Sequence, residues 1–353
     1  MSRSRNKPEC TQVMAVHGGA CAKFDPSIGE DCSYACGTGT VESALTDLER
    51  IEKFNCGFGS HLTIDQEVEC EASFMSSKNM SFGAVGAISN VFHPSKVARH
   101  LASNNWWKQR DLLHPLILVG RGAEKYAVRN DFPTCNPEEL ISNQAKDSYE
   151  KYLHRMLHPY DTHDTVGAIS INVNNMEAES ATSSGGIVLK HSGRLGHSCV
   201  YGSGTWSERR QYEEPGDLYS ERTISIVSTG HGEHLVKADF CRGIATRVLD
   251  DEEGILYSDI IREFLRDKME SYVLLILLFF TVNQFSSRAR FGGIAMIADK
   301  FNERMSLEFL VFHNTRYLPA AVRGRDNKIQ VYESKFDPDS CTDDKFVIES
   351  FRL

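Results

Sequence analysis

No two of the ten cysteines stand in a CxxC spacing, and none pairs with a histidine at the interval of a zinc site. Scattered thiols of this kind suit a reducing, intracellular setting, with several of them buried, and not a disulfide framework. Cys32 and Cys36 lie one helical turn apart, the spacing of helix packing. His191, His197, His231 and His234 cluster in the sequence but bring no carboxylate or cysteine at ligand spacing, so no metal is expected. Basic residues are in deficit: 39 Lys and Arg against 48 Asp and Glu leave a formal charge of −9, which argues against a nucleic-acid partner. The opening MSRSRNK is basic but short, and no apolar signal core follows it, so a disordered tail and no secretion are expected. The apolar run at 272–280, YVLLILLFF, is roughly half the length that crosses a bilayer, so it reads as a buried segment and not a membrane span. Free of charge and proline, it is also an aggregation hazard.

What is present is the composition of a globular protein, 41% hydrophobic and 25% charged, over 353 residues that could hold one large domain or two ordinary ones. The segment MAVH reads as a strand ending at Gly18 and Gly19. Val41, Ala44, Leu45, Leu48 and Ile51 keep the i, i+3, i+4, i+7 pattern of a helix. The loop FNCGFGS follows, its two glycines marking a tight irregular turn. Strands are expected near 67–75 and 81–88, a helix over 96–102, a short apolar run at 116–119 and a helix over 122–129. From 133 to 163 the pattern dissolves into a polar, proline-punctuated stretch, the best linker candidate. Beyond it, strands are expected at 166–173, 179–183, 186–189, 223–228, 293–298 and 306–312, with helices at 233–249 and 257–267. Sheets covered by helices, a layered α/β or α+β architecture, fit this order.

The linker stretch ends directly at Asp164-Thr165, within HDTVGAIS. A threonine at the head of a strand has an ordinary explanation, because β-branched residues favour strands. It also has a chemical one. If the preceding peptide bond is cut, Thr165 carries a hydroxyl nucleophile and a free α-amine to activate it. The amine's unperturbed pKa of roughly 7.7–8.0 leaves a useful fraction neutral at physiological pH.

Glycine-rich clusters follow: TSSGG at 182–186, GRLGH at 193–197 running on to YGSG at 201–204, and STGHGE at 228–233. Glycine lets backbone approach a ligand closely, and N–H groups at such turns can serve as oxyanion donors. The last cluster precedes a helix, whose N-terminal field adds to its donors. The second resembles no P-loop, since Lys190 precedes its glycines. Singly, each cluster reads equally well as a turn between strands.

Taken in order, VHGGA, FNCGFGS, EVECEASFMSSKNMSFGAVGAI, HDTVGA, SSGG, GRLGH and STGHGEHL resemble the asparaginase/aspartylglucosaminidase family of N-terminal-nucleophile hydrolases. The likeness runs from about Met14 to Lys237. Within the family it leans to the threonine aspartase (taspase) branch. The resemblance implies an α+β fold, a four-layer αββα sandwich. It implies one catalytic domain over 1–353, made as a precursor with its linker at about 133–163. Self-cleavage between Asp164 and Thr165 would give an α part of 1–164 and a β part of 165–353.

The resemblance also implies roles. Thr165 would be the nucleophile, Ser184 the hydroxyl that steadies it, Thr229 and Gly230 the oxyanion hole, and Asn55 a positioning group. Arg194, His197 and Gly232 would bind substrate, with Arg194 clamping a carboxylate. Gly18 and Gly19 would line the scissile turn. No cofactor and no metal are implied. The substrates would be proteins cut after Asp, among them trithorax/MLL-type methyltransferases and the precursor of transcription factor IIA. The enzyme would be a dimer of α/β heterodimers in nucleus or cytoplasm.

His197 stands where hydrolases of free amino acids in this family have an Asp for the α-amine, so it favours a peptide substrate. Cys21 replaces a glycine of the first motif, and the stretch before the junction is shorter than in some taspases. An amidohydrolase of asparagine, isoaspartyl dipeptides or aspartylglucosamine is the alternative, and an inactive family scaffold is a further one.

Overall fold

A computed structural model describes residues 10–21, 24–154, 164–214, 218–270, 289–337 and 344–353. In chain order the elements are β1 (Gln12–His17), α1 (Pro26–Gly37), α2 (Val41–Leu48), β2 (Cys70–Ser76), β3 (Ser81–Ile88), α3 (Pro94–Ser103), β4 (Ile117–Val119), α4 (Gly120–Arg129) and α5 (Asn143–Leu153). The rest are β5 (Val166–Asn172), β6 (Ala178–Ser184), β7 (Thr205–Glu214), β8 (Leu218–Gly230), α6 (Gly232–Ala238), α7 (Phe240–Leu249), α8 (Tyr257–Leu265), β9 (Phe291–Phe301), β10 (Arg304–His313), β11 (Tyr317–Arg323), β12 (Ile329–Lys335) and β13 (Val347–Arg352). An 8-stranded sheet runs β12-β11-β1-β5-β6-β2-β3-β4, and a 5-stranded sheet runs β13-β10-β9-β8-β7.

Alternation along the strands sets the layers, because successive side chains point to opposite faces. In β1, Val13 and Ala15 join Ile169, Ile171, Val227, Ile294 and Val322 in a core between the sheets. Met14 and Val16 point the other way, against Ile28, Leu45 and Leu48 of α1 and α2. On the far side of the second sheet, Ile224, Ile226 and Ala295 pack under Phe240, Ile244, Ile261 and Phe264 of α7 and α8. The order helices, sheet, sheet, helices is the four-layer α+β sandwich expected. The sheet-to-sheet core is formed by facing apolar positions of both sheets.

Local chemistry fixes the helix starts. Asp25 accepts the Ser27 N–H at 2.9 Å ahead of Pro26, and Thr40 accepts the Ser43 N–H at 3.1 Å. Glu49, just past α2, is fully buried and accepts from Ser95 N (3.0 Å), Ser95 Oγ (2.9 Å) and Ser183 Oγ (2.7 Å). One carboxylate thereby ties α2 and α3 to the strand that carries Ser184.

Several expected elements differ. Residues 186–189 form a turn and not a strand, because Gly186 (φ 73°) and Leu189 (φ 56°) take left-handed backbone that a strand cannot continue. The helix expected over 233–249 is two, α6 and α7, broken where Asp239 turns left-handed at φ 50°, ψ 51°. The stretch read as a linker holds α5, capped by Ser142 Oγ on the Ala145 N–H at 3.0 Å and anchored by buried Ala145 and Tyr149. Its last part, 155–163, and the apolar run at 272–280 lie outside the described residues. Cys32 and Cys36 are buried on α1, packing as their spacing suggests. No helix among the described residues is long and apolar enough to cross a membrane.

Candidate active site

Strand register assembles the site. Val166 of β5 pairs with Ser183 of β6, so the residue before β5 lies beside the residue after Ser183. Thr165 accordingly points its Oγ1 at Ser184 Oγ, 3.1 Å away, with Ser198 Oγ at 3.3 Å. Thr165 is 1% exposed. The Ser184 hydroxyl also accepts the Gly186 N–H at 3.0 Å, which fixes its rotamer. The Thr165 N–H donates to Asp164 Oδ1 at 2.8 Å, and the Thr165 hydroxyl reaches the same oxygen at 3.4 Å. Loss of solvation pushes the Asp164 carboxyl up to about 6. The Thr165 N–H and the charges of Arg194 and Arg290 pull the other way.

Gly19 lies against the Asp164 carbonyl. A β-carbon on it would sit 2.5 Å from the Asp164 oxygen, and its φ of 95° suits glycine alone. Gly18 instead packs against α1: a β-carbon there would meet Ile28 at 2.4 Å. The Ala20 N–H donates to Thr229 Oγ1 at 3.2 Å, linking the first glycine motif to the end of β8. Thr229 is fully buried. Gly230, at φ 134°, lets the backbone of Arg290 pass so closely that a β-carbon would meet its oxygen at 2.4 Å.

Asn55 acts at one remove from Thr165. Its Nδ2 donates to Gly186 O at 2.7 Å, its Oδ1 accepts the His61 N–H at 3.0 Å, and its backbone oxygen accepts the Gly185 N–H at 2.8 Å. It holds the turn after Ser184. Arg194 is paired twice to Glu233, Nε to Oε1 at 2.9 Å and Nη2 to Oε2 at 2.8 Å, with Glu71 Oε1 at 3.9 Å from Nη1. Burial works against the guanidinium charge, but the Glu233 and Glu71 carboxylates outweigh it and raise its affinity for the proton. Gly232 makes room for this pair, since a β-carbon there would be 2.9 Å from Arg194 Nη2. His197 is buried, with Nε2 3.2 Å from Ser228 O, and burial lowers its pKa to about 4. It is therefore a neutral imidazole at physiological pH.

Sequence reasoning did not single out Ser198, Glu71, Glu233 or Arg290. Glu71 and Glu233 lie inside motifs it marked, and Ser198 directly follows one. Glu71 reaches the site only through the pairing of β2 with β6, opposite Ser184, where its Oε2 accepts the Gly196 N–H at 2.8 Å. Arg290 comes in through the pairing of Gly230 with Phe291. Cys199, next to Ser198, is no rival nucleophile: burial and Glu71 raise its thiol pKa well above the ordinary value.

A cleft of about 430 Å³ opens over the junction, lined by Ala20, Asn55, Asp164, Gly186, His231, Glu233 and Arg290 among others. That is the size of a small-ligand site. Burial first, then Arg290, His234 and Arg194, lower the His231 pKa to about 4. Among the described residues no group of three or more His, Cys, Asp or Glu is arranged to hold a metal ion. The arrangement can present a hydroxyl with hydrogen-bonding partners to a carbonyl carbon beside a carboxylate.

A family model described as asparaginase matches residues 35–258, a span that holds every site residue from Asn55 to Glu233 and leaves out Gly19 and Arg290. The isoaspartyl peptidase/L-asparaginase of Rattus norvegicus is 33% identical over 251 residues, covering 65% of this chain and 69% of that protein. The protein of the same name from Mus musculus is 32% identical, covering 65% and 70%. A plant-type L-asparaginase of Pyrococcus horikoshii is 35% identical over 182 residues, covering 47% of this chain and 56% of its own.

Proposed function

The chain belongs to the asparaginase family of N-terminal-nucleophile hydrolases, and from that membership we propose that it cuts itself at Asp164-Thr165 and then hydrolyses amide bonds beside an aspartyl carboxylate. The observation that carries this reading is the Thr165 hydroxyl, buried, directly after Asp164 and 3.1 Å from Ser184 Oγ.

In the uncut chain the Thr165 hydroxyl attacks the Asp164 carbonyl carbon. The C–N bond breaks, an ester forms on Oγ1, and the proton passes to the departing nitrogen. Water then cleaves the ester and leaves Thr165 with a free α-amine. Asp164 Oδ1, within reach of both the Thr165 hydroxyl and its N–H, is placed to relay the proton. In trans the α-amine takes the hydroxyl proton, and Thr229 with the Gly230 N–H supports the oxyanion. The mature enzyme on this reading is an α part of 1–164 and a β part of 165–353, assembled as a dimer of such pairs.

For the substrate we take an Asp within a peptide, cut on its carboxyl side, as in a threonine endopeptidase of the taspase branch acting on nuclear regulators of transcription. His197 supports this choice. A neutral buried imidazole offers no fixed negative charge for the amine of a free amino acid. A second reading, an amidohydrolase of asparagine or isoaspartyl dipeptides, is the one that the names of the relatives favour, and they back it better than the endopeptidase. Offering the processed protein an Asp-containing peptide, L-asparagine and a β-aspartyl dipeptide side by side decides between them. Cleavage of the peptide alone supports the first; ammonia from asparagine or hydrolysis of the dipeptide, with the peptide intact, supports the second.

A further inference from the structure

The Thr165 hydroxyl faces three oxygens: Ser184 Oγ at 3.1 Å, Ser198 Oγ at 3.3 Å and Asp164 Oδ1 at 3.4 Å. Ser184 Oγ also receives the Gly186 N–H, and Asp164 Oδ1 the Thr165 N–H. Ser198 Oγ makes no second hydrogen bond among the described residues, and Ser198 is fully buried. Its place is built. Ser198 sits in the short turn His197–Cys199. Thr182 of β6 donates its hydroxyl to Ser198 O at 3.0 Å and meets Ser73 Oγ of β2 at 3.0 Å. Gly204 packs against the turn, since a β-carbon there would lie 2.8 Å from Ser198 Cα. Thr182 and Ser184, two apart on one strand, share a face. β6 therefore sets both serine hydroxyls, Ser184 directly and Ser198 through Thr182.

Counting protons gives the contact a direction. If Thr165 cuts the chain before it, self-cleavage and the reaction in trans pass through one kind of species: an ester on Thr165 Oγ1 beside the free Thr165 α-amine. That ester oxygen carries no proton, so it accepts hydrogen bonds and donates none. A hydrogen bond between it and Ser198 therefore runs from the Ser198 hydroxyl to Oγ1. Hydrolysis adds water to the ester carbonyl carbon, and one water proton passes to the α-amine. The C–Oγ1 bond then breaks with its electron pair on Oγ1, and the α-ammonium returns the proton to that oxygen. We propose that Ser198 is a catalytic residue of this second step, its hydroxyl donating to Oγ1 as negative charge builds there and keeping its own proton. A donor aimed at charge that develops in the transition state speeds the step in which it develops. In the first step the same bond draws electron density from the attacking oxygen, so no acceleration is expected there. Catalytic hydrogen bonds tighten along the reaction, so 3.3 Å in the resting chain suits this role. The proposal rests on the self-cleavage reading.

The test uses the full chain with its own Asp164-Thr165 junction as substrate, so it does not depend on what is cut in trans. Freshly translated wild type, Ser198→Ala and Ser198→Cys are followed on a denaturing gel, with and without hydroxylamine in native buffer. Hydroxylamine attacks esters directly and speeds division where hydrolysis of the ester is the slow step. The expected result is division slowed about tenfold in Ser198→Ala, with most of that loss recovered by hydroxylamine and a hydroxamate left on Asp164 of the 1–164 fragment. Ser198→Cys keeps the shape with a weaker donor and should fall between Ala and wild type. An Ala variant that divides as fast as the wild type overturns the proposal. So does one that is slow and insensitive to hydroxylamine, because the loss then falls on the first step or on folding. A wild type that stays whole removes the self-cleavage reading itself, and this proposal with it.

Discussion

Gly19 and the carbonyl of Asp164 stand face to face, so close that a β-carbon on Gly19 would lie 2.5 Å from the carbonyl oxygen. The bond that we propose is cut is thus packed against a backbone that carries no side chain.

Substituting Gly19 by Ala puts a methyl on that oxygen and forces a residue with a β-carbon to keep φ 95°. The expected outcome is self-cleavage slowed by about tenfold or more and a lowered melting temperature, since Ala at positive φ destabilises by more than about 1 kcal/mol. A time course of the two fragments on a denaturing gel checks the first, and thermal unfolding checks the second.

Ser184→Ala removes the acceptor of the Thr165 hydroxyl and strands the buried Gly186 N–H. An unsatisfied buried donor costs about 1–3 kcal/mol. Both stability and self-cleavage should therefore fall. Ser198→Ala removes a contact at 3.3 Å and strands no such amide, so the smaller loss is expected there.

Thr229→Val keeps the shape of the buried side chain but deletes the oxygen that receives the Ala20 N–H. Loss of one oxyanion donor costs about 2.7–4 kcal/mol, so kcat in trans should drop by about 10²–10³ while KM changes little. Steady-state kinetics of the processed variant tests this.

Self-cleavage should depend on pH through Asp164, whose carboxyl is pushed up to about 6. As a carboxylate it can accept the Thr165 proton; as an acid it cannot. The rate is expected to be level above pH 7 and to fall as pH drops through about 6. His197 and His231, both near 4, and His17, near 3, stay neutral across that window and add no second step. A processing rate that is flat from pH 5 to 8 contradicts this assignment.

Much of this site could be read from the chain because its motifs flank strands. Asp164-Thr165 lies directly before β5, and Ser184 and Thr229-Gly230 lie at the ends of β6 and β8, with glycines marking the turns that follow. Glu71 and Arg290 could not be read, because only strand register carries them to the site, 113 positions before and 60 after Ser184 and Gly230 by sequence number. β7 was missed for another reason. Its run of charges, Glu208-Arg209-Arg210, looks like a loop, but Arg210 pairs with Glu208 and Arg209 with Glu221 on neighbouring strand positions. The break between α6 and α7 depends on Asp239 in left-handed backbone, which no periodicity announces.

The central claim is that Thr165 makes its own active site by cutting the chain before it. Intact mass and N-terminal sequencing of the purified protein, beside Thr165→Ala, test it most directly. The account predicts two polypeptides in the wild type, whose masses sum to the uncut 39.6 kDa plus one water and one of which begins at Thr165, and a single uncut, inactive chain in the variant. A single wild-type chain of 39.6 kDa that is fully active, or a Thr165→Ala chain that still divides at this bond, would contradict it.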